Sequence, residues 1–186
     1  MISPNDWANM NESERLSALN AMEQLEADNQ DREPAKIISQ KMPLYQGGSY
    51  DYDTNTIKIN IDSLSNEEPY HALGTYYHES RHAYQHEQAN NTAKADNPKQ
   101  AQEWKENLKK ENYITYEQDP EGYYNQPVEI DAKDYAQTRM LQYNEEQGLS
   151  TYPSSTETSS TTATEKIGEL ASGAIEDAYD YYSGIF

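Results

Sequence analysis

The stretch from Tyr76 to Gln85 has the sequence Tyr-Tyr-His-Glu-Ser-Arg-His-Ala-Tyr-Gln, which places His78 and His82 four positions apart. Residues at this spacing lie on one face of an α-helix, one turn apart, so both imidazoles can point at the same site. Glu79 follows the first histidine and lies beside that site. The spacing therefore predicts a helix that presents two imidazoles and a carboxylate together.

The pattern His-Glu-x-x-His is typical of a zinc centre that activates water. His78 and His82 would be zinc ligands. Glu79 would be the general base, taking a proton from a water molecule at the open position of the metal. Because the pattern fixes only three positions, a solvent-exposed helix with chance histidines is the alternative. Three features of the flanking sequence favour the zinc centre: a signalled helix, a downstream ligand and an upstream strand.

The composition restricts the possible functions. The chain has 186 residues, a net charge of −19 and no cysteine, so any metal must be bound by histidine or carboxylate. The acidity disfavours nucleic-acid binding, and no apolar run approaches the ~20 residues of a membrane span. The N-terminus lacks the features of a secretory signal, which predicts a cytoplasmic protein or one exported without a cleaved leader. The oligomeric state is not specified.

The N-terminal region predicts a helix that packs outside the site. Asn11 and Glu14 make a capping box, which favours a helix over residues 11–28. Its apolar positions recur at helical spacing and should face the core; they are Leu16, Leu19, Met22 (or Ala21) and Leu25.

A β-hairpin is predicted just before the motif. Residues 36–42 are a weak strand or a loop. Residues 56–61 alternate apolar and polar side chains, so that three isoleucines face one way: Ile57, Ile59 and Ile61. Tyr50 and Tyr52 would lie on the opposing strand. The hairpin would either pair with an extended peptide or merely cover the motif helix.

The residues just before the motif also predict a helix. Ser65 to Glu68 has the form of a capping box, and Pro69 suits the first turn, which predicts a helix over residues 66–90. His86 lies two turns beyond His78, a rise of about 12 Å, so these two histidines cannot share one ion. We expect His86 and His71 to have other roles.

The third ligand is expected on a later helix that starts at Pro127 and ends near Gly148. Glu129 lies 47 residues after His82, which leaves enough chain for a second helix to return to the site. Asp131 points about 200° away around that helix, so only one of the two carboxylates can be a ligand. The alternative for either acid is that it only complements the helix dipole.

The residues between the motif helix and this later helix are less informative. A surface helix is predicted over residues 98–112, with a loop or irregular connection over 113–126. Four tyrosines of the loop are candidates to hydrogen-bond a developing oxyanion: Tyr113, Tyr116, Tyr123 and Tyr124.

Together, His78-Glu-Ser-Arg-His-Ala-Tyr-Gln85 and Pro127-Val-Glu-Ile-Asp-Ala132 resemble the zincin metallopeptidases, and most closely the gluzincin-like branch. That resemblance implies Zn²⁺ held by His78, His82 and Glu129. In the family pattern Glu-x-x-Ala-Asp, the final Asp supports a ligand histidine; Lys133 stands there in this chain, and Asp131 or Asp134 would take the role. The motif also looks like small zincin domains of bacterial effectors and mobile elements.

The predicted fold is α+β: a mainly helical zincin-like domain over residues 1–148, with a small β-hairpin next to the active-site helix. Residues 149–164 are a Ser/Thr-rich linker, and residues 165–186 regain helical apolar spacing. The predicted function is zinc-dependent hydrolysis of peptide bonds in a protein or peptide substrate. The alternatives are a catalytically silent zincin-fold binding module and a zinc hydrolase of a non-peptide amide.

Overall fold

Residues 2–148 are described by a computed structural model, and helices dominate them. The helices and strands are, in chain order, α1 (Pro4–Asn9), α2 (Glu12–Asn29), β1 (Lys36–Gln40), β2 (Gly48–Asp51), β3 (Thr56–Asn60), α3 (Ile61–Leu64), α4 (Tyr70–Asn90), α5 (Pro98–Asn107), α6 (Pro120–Tyr124) and α7 (Pro127–Glu146). The fold is α+β and mainly helical, as predicted. The predicted linker over residues 149–164 and the tail over 165–186 lie outside the described residues.

The three strands form one sheet in the order β1-β3-β2. β2 and β3 form the predicted antiparallel hairpin, and β1, expected only as a weak strand or a loop, pairs parallel to β3. Ile57 and Ile59 are fully buried, which confirms their alternation. β2 lies at one edge of the sheet.

Two residues assigned to the hairpin lie outside its strands. Ile61 begins α3, because the side chain of Asn60 caps that helix by accepting a hydrogen bond from the N–H of Asp62 at 3.3 Å. Tyr52 follows the end of β2 in the turn between the strands.

The motif helix α4 is the central element of the fold. It packs against α7, α5, β2 and β3, and every residue from Ala72 to Ser80 is buried. A helix buried on all sides belongs to the core rather than to the surface. The first part of the His-Glu-x-x-His motif is therefore enclosed by protein, which excludes the interpretation as a solvent-exposed helix.

The predicted capping box at the start of α4 is wrong. The helix begins at Tyr70 and has no side-chain cap. The carbonyl of Asn66 instead accepts hydrogen bonds from the indole of Trp7 at 2.9 Å and the guanidinium of Arg15 at 2.8 Å. These distant side chains hold the segment as a turn, and the proline at 69 disfavours helical geometry at the residue before it.

The predicted inward face of α2 is only partly correct. The capping box of Asn11 and Glu14 is confirmed, and Leu19 is fully buried. Leu25, however, is 66% exposed, while Arg15 and Glu23 are buried. The sequence pattern misses this because charged residues are expected at the surface unless they are paired.

The buried charge of Glu23 is matched by residues distant in sequence. Its carboxylate lies 2.6 Å from the guanidinium of Arg32 and accepts hydrogen bonds from the hydroxyl of Ser80 at 2.8 Å and the N–H of Ala35 at 2.9 Å. Arg32 also donates to Ser80 at 2.8 Å. Because Ser80 belongs to the motif, this cluster fixes α4 to α2 and to the segment that precedes β1.

The C-terminal half returns the chain to α4. The helix predicted over 98–112 stops at Asn107, whose side chain accepts from the N–H of Val128 at 3.2 Å and so joins α5 to α7. Trp104 on α5 is buried rather than superficial. α6 interrupts the predicted loop, and Gly148 has the positive φ of 67° expected just past a helix end.

Within residues 2–148, no helix is both long enough and apolar enough to span a membrane.

We predict that Glu23→Ala lowers the free energy of unfolding by about 3–5 kcal/mol, because it leaves the guanidinium of Arg32 buried without its carboxylate. Urea denaturation followed by circular dichroism measures this. Lys41→Ala breaks the exposed pair with Asp62 and is the control, with an expected loss below about 1 kcal/mol. Equal effects of the two variants would show that the buried cluster does not stabilise the fold.

Candidate metal centre

α4 presents the three side chains of the motif to a single site. His78, Glu79 and His82 occupy neighbouring positions on its buried side, with 8% of His78 and 7% of Glu79 exposed. The Nε2 atoms of the two imidazoles lie 3.1 Å apart. This follows from the four-residue spacing, which places the two rings one turn apart; they lie nearly perpendicular to each other, at 84°.

α7 brings Glu129 to the same point. Pro127 opens this helix, so Glu129 falls in its first turn, where it is only 3% exposed. Its Oε2 atom lies 3.3 Å from Nε2 of His78 and 3.5 Å from Nε2 of His82. The structure thus brings together the three residues that the sequence nominates as ligands, and their donor atoms lie within 4.8 Å of one another.

The separations of these donors suit a small divalent cation. In tetrahedral coordination with ligand bonds of about 2.0–2.1 Å, neighbouring donor atoms lie about 3.3–3.4 Å apart. The observed separations are 3.1, 3.3 and 3.5 Å. Two imidazoles and one carboxylate are also a donor set that zinc takes in catalytic sites. The residues therefore fit zinc both in chemistry and in spacing.

Tyr113 fixes the other oxygen of the Glu129 carboxylate. Its hydroxyl donates a hydrogen bond to Oε1 at 2.9 Å, which leaves Oε2 facing the histidines. Burial, together with the nearby carboxylate, raises the pKa of Tyr113, so the hydroxyl keeps its proton and remains a donor. The sequence nominates this tyrosine only for oxyanion binding; the structure gives it a contact with the candidate ligand.

Asp131, the other candidate for the third ligand, does not join the group. Its carboxylate accepts two hydrogen bonds from the guanidinium of Arg81, at 2.8 and 3.0 Å. The Asp131 carboxylate is therefore held by an ion pair with an arginine of the motif helix. Asp131 and Glu129 point to different sides of α7, as their angular separation on a helix requires.

The charges of Glu129 and of the two imidazoles stabilise one another. Burial acts to lower the pKa of His82, but the Glu129 and Glu79 carboxylates and the contact with Gln85 together outweigh it and raise the pKa to about 9. Burial acts to raise the pKa of Glu129, yet the two imidazoles hold it well below its usual range. Burial also raises the pKa of Glu79, which the two histidines partly oppose. Glu129 is therefore anionic at ordinary pH and supplies the negative charge that attracts a cation.

The three candidate ligands and Glu79 line a cleft of about 650 Å³. One wall is β2 with the loop before it, and another is formed by residues between Tyr113 and Tyr124. The two walls meet where the rings of Tyr45 and Tyr116 stack at 5.6 Å. The candidate centre therefore opens into a space large enough for part of a polymeric ligand, and much of its surface is tyrosine.

His86 and His71 are not part of the group of donors. His86 lines the far part of the cleft, where its ring stacks on Tyr52 at 5.2 Å, as the spacing argument requires. Two residues that the sequence does not single out also contact the site: Gly48 and Gln85. The sequence contains a hint of each, since Gly48 is the second residue of a Gly-Gly pair at the start of β2 and Gln85 lies about one turn after His82.

Gly48 allows β2 to approach α4 closely beside Glu79. A Cβ atom at this position would lie 2.5 Å from Cγ2 of Thr75, 2.7 Å from the carbonyl oxygen of Lys58 and 3.3 Å from Cγ of Glu79. The backbone N–H of Tyr50 in the same strand also acts to lower the pKa of Glu79, against the larger effect of burial. Glycine is therefore required where the edge strand and the motif helix meet.

Comparison with known proteins found no matching family model, no matching curated protein and no matching solved structure. The function proposed below is supported by the residues and their geometry.

We predict that Gly48→Ala lowers the free energy of unfolding by about 1–3 kcal/mol, because the added methyl overlaps the Lys58 carbonyl and the Thr75 side chain. Thermal and urea denaturation measure the change. Ser49→Ala in the same strand adds no atom and is the matched control. If Gly48→Ala were as stable as wild type, the close approach of β2 to α4 would be incorrect.

Proposed function

We propose that the protein is a zinc-dependent metallopeptidase of the zincin type, similar to the gluzincin-like branch. One observation carries the proposal: the imidazoles of His78 and His82 and the carboxylate of Glu129 converge at the spacing of zinc ligands, in a cleft that Glu79 also lines. Three protein donors leave one coordination position for a reactant, which is the usual arrangement of a catalytic zinc site.

Glu129 is proposed as the third ligand in preference to Asp131. The reason for this choice is that Oε2 of Glu129 lies within 3.5 Å of both histidine Nε2 atoms, whereas the carboxylate of Asp131 is paired with Arg81. Tyr113 restrains the remaining oxygen of Glu129. A carboxylate fixed in this way presents a single oxygen in a constant direction.

Bound zinc would polarise the scissile carbonyl and lower the pKa of water, which is the chemistry that this ion supplies. Glu79 takes the proton from the attacking water and delivers it to the leaving amine. Two features suit it to this role: it follows His78 directly and lines the same cleft, and burial raises its pKa, which favours accepting a proton.

The substrate is proposed to be an extended segment of a peptide or protein. β2 pairs only with β3 among the described strands, and Gly48, Ser49 and Tyr50 line the cleft. An edge strand can add an extended peptide by main-chain hydrogen bonds. Such pairing would place a peptide bond of the substrate beside Glu79, which favours peptide hydrolysis over hydrolysis of a small amide.

We predict about one zinc per chain in the purified or reconstituted protein, lost in His82→Ala and Glu129→Ala, since each removes one of three ligands. Inductively coupled plasma mass spectrometry measures the zinc content. Asp134→Ala, which changes an exposed acid on the same helix as Glu129, is the matched control and should keep the metal. A wild-type protein that binds no zinc after reconstitution would overturn the proposed function.

The catalytic role is tested with Glu79→Gln on a fluorogenic peptide library and denatured casein. We expect this variant to keep its zinc and to lose activity by about 10²–10⁴-fold, which is the usual contribution of a general base. Zinc bound by the wild type without cleavage of any peptide would contradict the assignment as a peptidase and favour the binding module.

We predict that Tyr113→Phe weakens zinc binding by about 10-fold or more, because partners that orient a metal ligand contribute 10–100-fold to affinity. Competition with a zinc chelator measures the dissociation constant. Tyr116→Phe is the control, since it removes a hydroxyl from a cleft tyrosine whose ring stacks on Tyr45. An unchanged dissociation constant for Tyr113→Phe would show that its bond to Glu129 does not orient the ligand.

A further inference from the structure

Gln85 is fully buried between the two helices that carry the candidate ligands. Its Oε1 atom lies 2.8 Å from Nδ1 of His82 on its own helix. Its Nε2 donates to the backbone carbonyl of Val128 at 2.9 Å and to the carboxylate of Asp131 at 2.6 Å, both on α7. One amide thus contacts His82 directly and contacts α7 on both sides of Glu129.

The partners of Gln85 determine which way its amide must point. The carbonyl of Val128 and the carboxylate of Asp131 are both acceptors, so the NH₂ group has to face them. The amide oxygen then faces His82, and Nδ1 of His82 must carry a hydrogen to donate to it. In the neutral ring, which is the form that binds a metal, a hydrogen on Nδ1 leaves Nε2 with its lone pair, and Nε2 is the atom that faces His78 and Glu129.

The far end of this chain of hydrogen bonds is held rigidly. Asp131 binds the guanidinium of Arg81 through both carboxylate oxygens. That guanidinium lies over the rings of Tyr84 at 4.4 Å and Tyr135 at 4.9 Å, which adds cation–π attraction. Arg81 is therefore fixed by packing as well as by charge, and Asp131 can hold the Gln85 amide in one orientation.

We propose that Gln85 is a positioning residue for the metal centre: it holds His82 in the Nδ1–H tautomer and sets the separation of the two ligand-bearing helices. The inference rests on the proposed zinc site and adds the element that orients one of its ligands. Asp131 acts on His82 only through Gln85, and Asp134, the other acid considered for support of a histidine, is exposed.

Zinc affinity is the first test. Gln85→Met keeps the size of the side chain but removes its amide, and we expect the dissociation constant for zinc, measured by chelator competition, to rise about 10–100-fold. Gln88→Met, one turn further along α4, is the matched control and should bind zinc as the wild type does. Equal affinities of Gln85→Met and wild type would overturn the inference while leaving the zinc site in place.

A second measurement starts from the folded wild-type protein. In ¹⁵N-labelled, zinc-loaded protein, long-range ¹H–¹⁵N NMR should show a proton on Nδ1 of His82 that exchanges slowly with water. Gln85→Met should speed that exchange, an effect that a merely structural role for Gln85 would not produce. A ring bound through Nδ1, or an Nδ1 proton that exchanges as fast as that of an exposed histidine, would contradict the proposal.

The inference and the proposed function fail in distinguishable ways. A wild-type chain that takes up no zinc overturns the proposed function, and with it the role of Gln85. A wild-type chain that binds zinc at full stoichiometry, together with a Gln85→Met variant of equal affinity, overturns only the role of Gln85.

Discussion

The carboxylate of Glu129 is 3% exposed and faces two imidazoles at 3.3 and 3.5 Å. A buried charge is tolerated only when partners replace its lost hydration. Here the partners come from separate parts of the chain: His78 and His82 from α4, and Tyr113 from the segment before α6. The packing of α7 on α4 is therefore inseparable from the electrostatics of this group, and a change at one of these positions affects both the fold and the site.

On the opposite side of α4, another buried charge is also matched by partners from distant parts of the chain. Ser80, inside the motif, binds Glu23 and Arg32, so the motif helix is enclosed by paired charges behind it and by the candidate ligands in front. The apolar core supplies much of the remaining burial through large aromatic residues such as Trp7, Tyr76 and Tyr143. In a chain with 34% hydrophobic residues, paired polar groups fix the position of a helix that apolar contacts alone would leave free to slide or rotate.

The features that the sequence predicts are local ones. The capping box of Asn11, the alternation of Ile57 and Ile59, and the four-residue spacing of the histidines each depend on a few neighbouring positions. Features set by distant partners are not predictable in this way. The predicted capping box at Ser65 does not form, because Trp7 and Arg15 hold that segment as a turn through the Asn66 carbonyl. Leu25 is exposed because charged residues occupy the buried face of its helix. The contacts of Gln85 are not predictable from its neighbours in sequence, because the acceptors for its amide lie on α7.

The central claim is that His78, His82 and Glu129 form one zinc site. The most direct test is a crystal of the zinc-loaded protein measured on both sides of the zinc absorption edge. The account predicts one strong anomalous peak about 2.0–2.2 Å from Nε2 of each histidine and from an oxygen of Glu129. An anomalous peak at another place, with His78, His82 and Glu129 still in direct hydrogen-bond contact with one another, would contradict it.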